Sequence, residues 1–526
     1  MKISTLLGLS SALTLTALPL AAQDAKQIQQ LQEQLRQMQE QHQRQMEALQ
    51  KQIEALQKQQ SGVVTEQQKL KQMMDTGMLD MKQAERAEDR PWRPTDPIRI
   101  SRGQAYMDVG LVGTLAAGTS TAKDFDQLQP GGHDPSQRGF TLQGVEATFT
   151  GAVDPYFRGL AAINLSIDGG SETHLELEEA WLESVSLPGN LQLRAGQIFS
   201  EFGRHNSQHL HSWAFVDAPL VNARLLGPDG LRNPGARLSW LMPTPFYSEL
   251  FLGVQNSGGE TATSFRSAGH THGGGEEEIP FAFRHADNDR GLAKWNDLLF
   301  TPRYAVSFNL NDAQTLLLGA SGAFGPNSRG AAGSGELDTQ IYGADLTWKW
   351  KPASHTGGFP FVAFQAEAMM RKSDVGMFDW DEDANGGDGD GDGFVDEGLL
   401  VDPLTGLPAI LPGERLTDYG FYAQLLYGFR KGWVAGLRFD YSAPKRGSYE
   451  NMGIIVADGA GAGDPAGLDA FRVRRARVSP NLTWYPTEFS KVRLQYNYDH
   501  REQLGHAHSV WLQFEFVLGS HAAHKF

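Results

Sequence analysis

The residues best suited to chemistry in this chain are its histidines. His205, His209 and His211 lie close together, His270 and His272 flank Thr271 ahead of Glu276, Glu277, Glu278 and His285, and His506, His508, His521 and His524 crowd the C-terminal end. Neutral imidazole is a common ligand of zinc and other late divalent ions, and short His-rich tracts in loops capture them. His205, His209, His211, His270 and His272 are therefore the candidate zinc ligands. Solvated, unliganded imidazoles are the other reading, and the Gly-rich acidic setting of His270 and His272 suits it.

A second set is acidic. Asp388, Asp390, Asp392 and Asp396 stand at alternating positions of a Gly-rich run, with Gly393 sixth and Val395 eighth, as in an EF-hand-type calcium loop. The bidentate Glu expected at position twelve is replaced by Leu399. The expectation is a weak structural calcium site that orders the loop, set against a merely solvated acidic loop. No cofactor is required for the chain's basic role.

Catalytic chemistry finds little support. The chain has no cysteine, which removes thiolate zinc sites, iron–sulfur clusters and cysteine nucleophiles. No Gly-x-Ser-x-Gly elbow, Walker loop or His-Glu-x-x-His helix occurs, and the expectation is a non-enzyme. With 46 Lys and Arg against 62 Asp and Glu, a net charge of -16 argues against nucleic acid as a partner.

These residues need elements to position them. Met1-Lys2, the apolar stretch Leu6 to Leu20 and the small-residue exit Ala21-Ala22-Gln23 predict a secretory signal peptide over 1–22. Over 23–60, Ile28, Leu31, Leu35, Met38, Met46, Leu49, Ile53 and Leu56 recur at spacings of 3 and 4 and predict an α-helical coiled coil, with His42 at a stutter. That stripe is too narrow for a monomeric domain, so self-association is its simplest partner. Residues 61–100 form a polar linker that passes through Pro91-Trp92-Arg93-Pro94.

From 101 to 526 the period becomes two. Tyr304, Val306, Phe308 and Leu310 share one face, as do Val510, Leu512, Phe514, Phe516 and Leu518. Strands fall at about 104–116, 138–151, 156–167, 174–186, 191–199, 234–243, 247–255, 300–310, 314–323, 338–350, 358–371, 416–429, 433–443, 470–485, 489–500 and 506–518. Tight turns and long loops alternate between them. A soluble sandwich has no reason to sort loop length by parity, whereas an outer-membrane barrel does. The fold class is therefore all-β: a transmembrane antiparallel β-barrel of about sixteen strands, placed in the lipid of a Gram-negative-type outer membrane. Phe526 ends the chain in parity with the last apolar face and resembles the signal read by the barrel-assembly machinery. Trp348, Trp350, Trp433, Trp484, Tyr485 and Trp511 are candidates for the interfacial girdle.

Sixteen strands enclose a water-filled lumen. If apolar faces meet lipid, Arg158, Arg194, Arg237, Arg303, Arg438 and Arg493 line it together with Asp345, Glu367, Asp440 and Glu515. The third long connection, Ser200 to Asn233, lies where porins fold a loop inward. Its Glu201, Arg204, His205, Asp217, Arg224, Asp229 and Arg232 are the expected constriction.

Three phrases carry a resemblance: Arg138 to Leu142 (RGFTL), Leu175 to Glu183 (LELEEAWLE) and Leu193 to Gln197 (LRAGQ), followed by Phe202-Gly203. On these the chain resembles sixteen-stranded porins of the phosphate-selective type. The resemblance implies passive diffusion of small hydrophilic solutes or ions, a homotrimer and, in some members, a periplasmic coiled coil. A phosphate pore implies a one-sided basic ladder, and this lining is nearly balanced. Phe202 to Asp217 and Leu518 to His524 also resemble outer-membrane proteins labelled zinc-regulated, TonB-dependent receptors. That likeness implies an alternative, a barrel that binds or imports divalent metal through its histidines. Such receptors have a larger barrel behind a globular plug, where this chain has a coiled coil and a linker.

Overall fold

The computed structural model describes residues 98–102, 105–152, 154–167, 172–266, 282, 292–327, 337–379, 400–401, 410–451, 455–456, 472–502 and 504–519. All of them belong to one compact unit, Trp92–Phe526. The expected signal peptide, coiled coil and most of the linker lie outside the described residues, as do His270, His272, His285, Asp388, Asp390, Asp392, Asp396, His521, His524 and Phe526.

Sixteen strands follow one another around a barrel: β1 (Ala105–Ser120), β2 (Gly139–Ala152), β3 (Phe157–Ile167), β4 (Thr173–Ser184), β5 (Leu191–Phe199), β6 (Arg232–Leu241), β7 (Tyr247–Asn256), β8 (Leu298–Asn311), β9 (Gln314–Asn327), β10 (Leu337–Trp350), β11 (Phe361–Val375), β12 (Glu414–Arg430), β13 (Trp433–Lys445), β14 (Arg475–Thr487), β15 (Ser490–Arg501) and β16 (Gly505–Gly519). Each pairs antiparallel with the next, and β16 returns to β1 from Gly110↔Gly519 to Ser120↔Ser509. Closure leaves the ladder without a free edge, the condition for strands in lipid. All sixteen coincide with the strands expected from alternation.

A seventeenth, short strand, Ile98–Arg102, was expected to be linker. It pairs with the stretch of β1 that β16 does not reach, Ile98↔Val109 to Arg102↔Ala105. Arg99 fixes the register with two bonds to Asp108, at 2.7 and 2.8 Å. Only two apolar residues, Ile98 and Ile100, alternate here, too few to announce a strand.

The polarity of the barrel is inverted relative to a soluble protein. In β16, Val510, Leu512, Phe514, Phe516 and Leu518 face outward and exposed, while Ser509, Gln513 and Glu515 are buried. β14 and β15 repeat the arrangement, burying Arg475, Arg477, Arg493, Gln495, Asn497 and Asp499. An apolar exterior around a polar interior is stable only against hydrocarbon, so this is a membrane-spanning barrel of the outer-membrane type. Trp511 departs from the expected girdle. It is fully buried on the inner face, edge-on to Phe125 with ring centroids 6.3 Å apart, because it has the opposite parity to Val510 and Leu512.

Connections 153–156, 185–190, 242–246, 312–313, 351–360, 431–432 and 488–489 make one rim. The longer ones, 121–138, 200–231, 257–297, 328–336, 376–413 and 446–474, leave the opposite rim, with 168–172 and 502–504 as its short exceptions. Among the described residues, parts of the 121–138, 200–231 and 257–297 connections fold into the lumen and supply much of its packing. The 200–231 segment contributes Phe202, Val221, Leu225 and Leu226, which pack with Phe265 of the next long connection, Met369 of β11 and Tyr422 of β12. It contains a short 3-10 turn, Leu210–Ser212, and α1 (Leu220–Leu226), which starts after Pro219 and stops at Gly227 with φ 106°.

Candidate functional site

The 200–231 connection is tied to the wall at both ends of its path. At the first corner Gly203 has φ 59°, a left-handed turn that aims successive amides at the barrel. The Gly203 amide donates to Ser321 Oγ at 3.1 Å, and the amides of Arg204 and His205 donate to Glu367 Oε1 at 2.9 and 2.6 Å. The Tyr422 hydroxyl donates to the same oxygen at 2.6 Å. This corner is therefore moored on β9, β11 and β12. A Cβ on residue 203 would stand 2.1 Å from Glu367 Oε2. Gly203→Ala is expected to undock the corner and open the bond after Arg204 to trypsin, measured as a new fragment from the folded barrel; an uncut variant counts against the mooring.

At the other end Asp217 sits among β13, β14 and β15. Its carboxylate accepts from Arg438 Nη2 at 2.6 Å, Arg477 Nη1 at 3.0 Å, Gln495 Nε2 at 2.9 Å and Asn497 Nδ2 at 2.6 Å. Burial would raise its pKa, but the two guanidiniums outweigh burial and hold it down to about 2. The Val216 amide donates to Gln495 Oε1 at 2.8 Å, and the Leu220 amide to Asp440 Oδ1 at 3.1 Å. The segment thus leaves the β9–β12 wall, reaches β2 and β4 through His209 and His211, and returns to β13–β15 beside the first mooring.

The expected constriction residues occupy three separate places. Glu201 pairs with Arg237, and Arg204 is half-buried near Arg303 and Asp345. Asp217 is the second mooring, and Arg224 Nη1 donates to the Val473 carbonyl at 2.7 Å. Asp229 and Arg232 lie beside the β4 wall, Arg232 pairing with Glu176. Among the described residues, His205 falls in no group of side chains that could hold a metal ion. It packs against Trp213 and Tyr422, 5.0 and 6.3 Å between centroids, and burial followed by the Arg438 charge push its pKa down to about 3.

The expected lining faces inward as ion pairs. Arg303 holds Asp345 with bonds of 2.6 and 3.0 Å, Arg438 holds Asp440 at 2.8 Å, and Lys491 meets Glu515 at 2.7 Å. Arg194 and Arg237 converge on Glu183. Arg493 donates to Gln513 Oε1 at 2.7 Å and the Trp213 carbonyl at 2.9 Å. Arg158 differs: near the start of β3 its side chain is 55% exposed, and it reaches Glu183 from the rim.

A cluster of a different kind stands on β2 to β4. Glu146, Asn164 and Glu176 are direct register partners and form one row across three strands. A register shift between Ala162 and Ile163 leaves Glu178 as an extra residue on β4, so that Glu178 and its neighbour Glu179 are both buried in the lumen. His209 and His211 from the 200–231 connection and His133 from 121–138 descend onto these carboxylates. His209 Nδ1 lies 2.7 Å from Glu178 and 3.3 Å from Glu146, and its Nε2 lies 3.0 Å from Glu179. His211 Nδ1 lies 2.8 Å from Glu146. His133 Nδ1 is 3.2 Å from the Gln143 carbonyl, and its Nε2 is 3.3 Å from Glu178. Burial alone would lower both the His209 and His133 pKa values; Glu146 and Glu178 hold the first well above its ordinary value, and Glu178 raises the second. A cavity of about 30 Å³ adjoins the cluster, lined by His133, Glu178, His209, Asp229 and Trp213 among others.

His133, Glu176 and Glu178 were not singled out as site residues in the sequence. The signal available was the run Glu176-Leu177-Glu178-Glu179, unusually acidic for a strand.

No protein-family profile matches the chain. A protein of Aquifex aeolicus (strain VF5), described only as uncharacterized, is 29% identical over 413 residues, which cover 75% of this chain and 73% of that one. Among solved structures, the outer membrane channel DcaP of Acinetobacter baumannii aligns with 80% of this chain and 99% of its own at 11% identity and a TM-score of 0.44. The anion-selective porin from Comamonas acidovorans aligns with 79% and 100% at 8% identity and 0.43. OmpT of Vibrio cholerae in its trimer form aligns with 79% and 100% at 8% identity and 0.41.

Proposed function

We propose that the protein is an outer-membrane porin-like channel for passive diffusion of small hydrophilic solutes or ions, not an enzyme. The single observation that carries this reading is the ion-lined interior of a closed sixteen-strand barrel, crossed by an infolded connection held at β11, at β2 and β4, and at β13. The barrel provides the path and the 200–231 segment restricts it. Paired rather than one-signed charges line the lumen, so the channel is of the general diffusion kind and not a phosphate pore. Three copies form the assembly, inserted by the barrel-assembly machinery, as the porin resemblance implies. The infolded connection is the constriction, with Glu201, Arg204, His205, Asp217, Arg224, Asp229 and Arg232 as the residues through which it acts.

Refolded protein in a planar bilayer is expected to show small ohmic steps in groups of three, and a KCl gradient gives its ion preference. Bilayers that stay silent with correctly folded protein overturn the reading. Acid provides a further check. Asp217 is held below its ordinary 3.8, so its docking bonds are complete above that value and are lost as pH falls toward 2. Conductance is expected to be flat above about pH 4 and to rise below it. Asp217→Asn removes the rise; a wild-type trace flat to pH 2 contradicts the mooring.

A second reading, a barrel that binds or admits divalent metal, is supported by one observation: His209 and His211 meet carboxylates inside the lumen.

A further inference from the structure

Six buried acids of this barrel are matched with permanent cations. Glu183, Asp217, Asp345, Asp418, Asp499 and Glu515 each face an arginine or lysine. At the β2–β4 wall, Glu146, Glu178 and Glu179 instead face histidines. Arginine keeps its protons permanently, whereas imidazole can give one up to a metal.

The geometry at His209 is that of a ligand with its support already in place. Its Nε2 is 3.0 Å from Glu179, and its Nδ1 points between Glu178 and Glu146. A histidine that binds metal through one nitrogen commonly donates its other N–H to a carboxylate, which fixes the ring and strengthens the ligand. The ligand atoms of Glu146, Glu178 and His209 all lie within 4.8 Å of one another. The 3.3 Å from Nδ1 to Glu146 equals the separation of about 3.3 Å between donors on a tetrahedral zinc with bonds near 2.0–2.1 Å. The shorter 2.7 Å to Glu178 is a proton-sized contact that an ion would widen. His133 steadies the other Glu178 oxygen, and the β4 bulge exists to the effect that Glu178 and Glu179 serve one ring together. The adjoining cavity supplies room for a water on the remaining position.

We propose that Glu146, Glu178 and His209 bind one borderline divalent ion of the zinc class in place of the His209 Nδ1 proton. This gives the second reading above its ligand set and rests on it. The neighbouring triad of His133, Glu176 and Asp229 stays closed, because Arg232 is already paired to Glu176. The ion joins β2 and β4 to the 200–231 connection, so it pins that connection to a third part of the wall.

The test is calorimetric titration of zinc chloride into the full-length, detergent-refolded protein after chelator treatment. One ion per chain is expected, with magnesium at least tenfold weaker. His209→Ala is expected to abolish binding, and Glu179→Gln to weaken it about 10- to 100-fold while leaving the stoichiometry at one. His205→Ala is expected to change nothing. Should His209→Ala fail to fold, X-ray absorption on zinc-loaded wild type decides: one imidazole among oxygen donors supports the site, and a shell of oxygen alone overturns it. No zinc heat from folded wild type, or full binding by a His209→Ala, Glu178→Gln double variant, also overturns it. The titration needs no conductance. Zinc binding with silent bilayers removes the channel and leaves this site, while conductance without zinc binding does the reverse.

Discussion

Replacing Asp217 with alanine is expected to raise single-channel conductance at least twofold and to move the reversal potential toward anions. Asp217 accepts four side-chain hydrogen bonds from β13, β14 and β15, and both Arg438 and Arg477 lose a carboxylate when it is removed. Truncating one partner of a buried ion pair typically costs about 3–5 kcal/mol, because the other charge is left without compensation. In a lumen the stranded guanidiniums have a way out: water and anions enter, and the connection lets go of that wall. Arg438 keeps Asp440 and Arg477 keeps Asp499, so the barrel itself holds. The measurement is planar-bilayer recording of wild type and variant in the same KCl gradient. Equal conductance with equal reversal potential would mean that Asp217 does not hold the constriction.

The second large effect separates two adjacent residues of β16. Leu512 lies at the middle of the strand, 49% exposed and flanked by Ala117 and Leu494, while Gln513 is buried in the lumen. An arginine on the lipid face near the bilayer midplane costs about 2–4 kcal/mol, so Leu512→Arg is expected to lower barrel stability by that amount. Gln513→Arg places its charge on the polar inner face beside Gln143, away from hydrocarbon, and the folding cost is expected to be smaller. Reversible urea unfolding in liposomes gives both values. A Leu512→Arg as stable as wild type would sink the assignment of that face to lipid.

The strands were legible because their physics is local. A pleated chain between hydrocarbon and water must alternate, and runs such as Val510 to Leu518 state both the strand and its outward face. At Trp511 parity outweighs residue type. Its odd position in an even-numbered apolar face already placed it inside, where it packs with Phe125 and Val216. The interior was less legible, because its contacts join distant segments: His209 meets Glu178, and His133 meets Glu178 from the other side. The histidine triplet 205, 209 and 211 looked like one group by spacing. The Trp213 ring packs on His205, which also faces Tyr422, while the other two reach β2 and β4. Neither alternation nor composition reveals that Glu178 and Glu179, consecutive in sequence, share a face.

That bulge makes β4 a strand read in two frames. From His174 through Glu178 the even residues look inward, and from Glu179 through Glu183 the odd ones do, so the frame changes once, at the cluster. Everything downstream inherits the change: Trp181 and Glu183 are inside and Leu182 outside only because one residue upstream goes unpaired. Deleting Glu178 would restore a uniform ladder in which every other residue of β4 keeps its present partner and face, and would take one carboxylate from the histidines. The extra residue therefore belongs to the cluster and not to the wall, which is continuous without it.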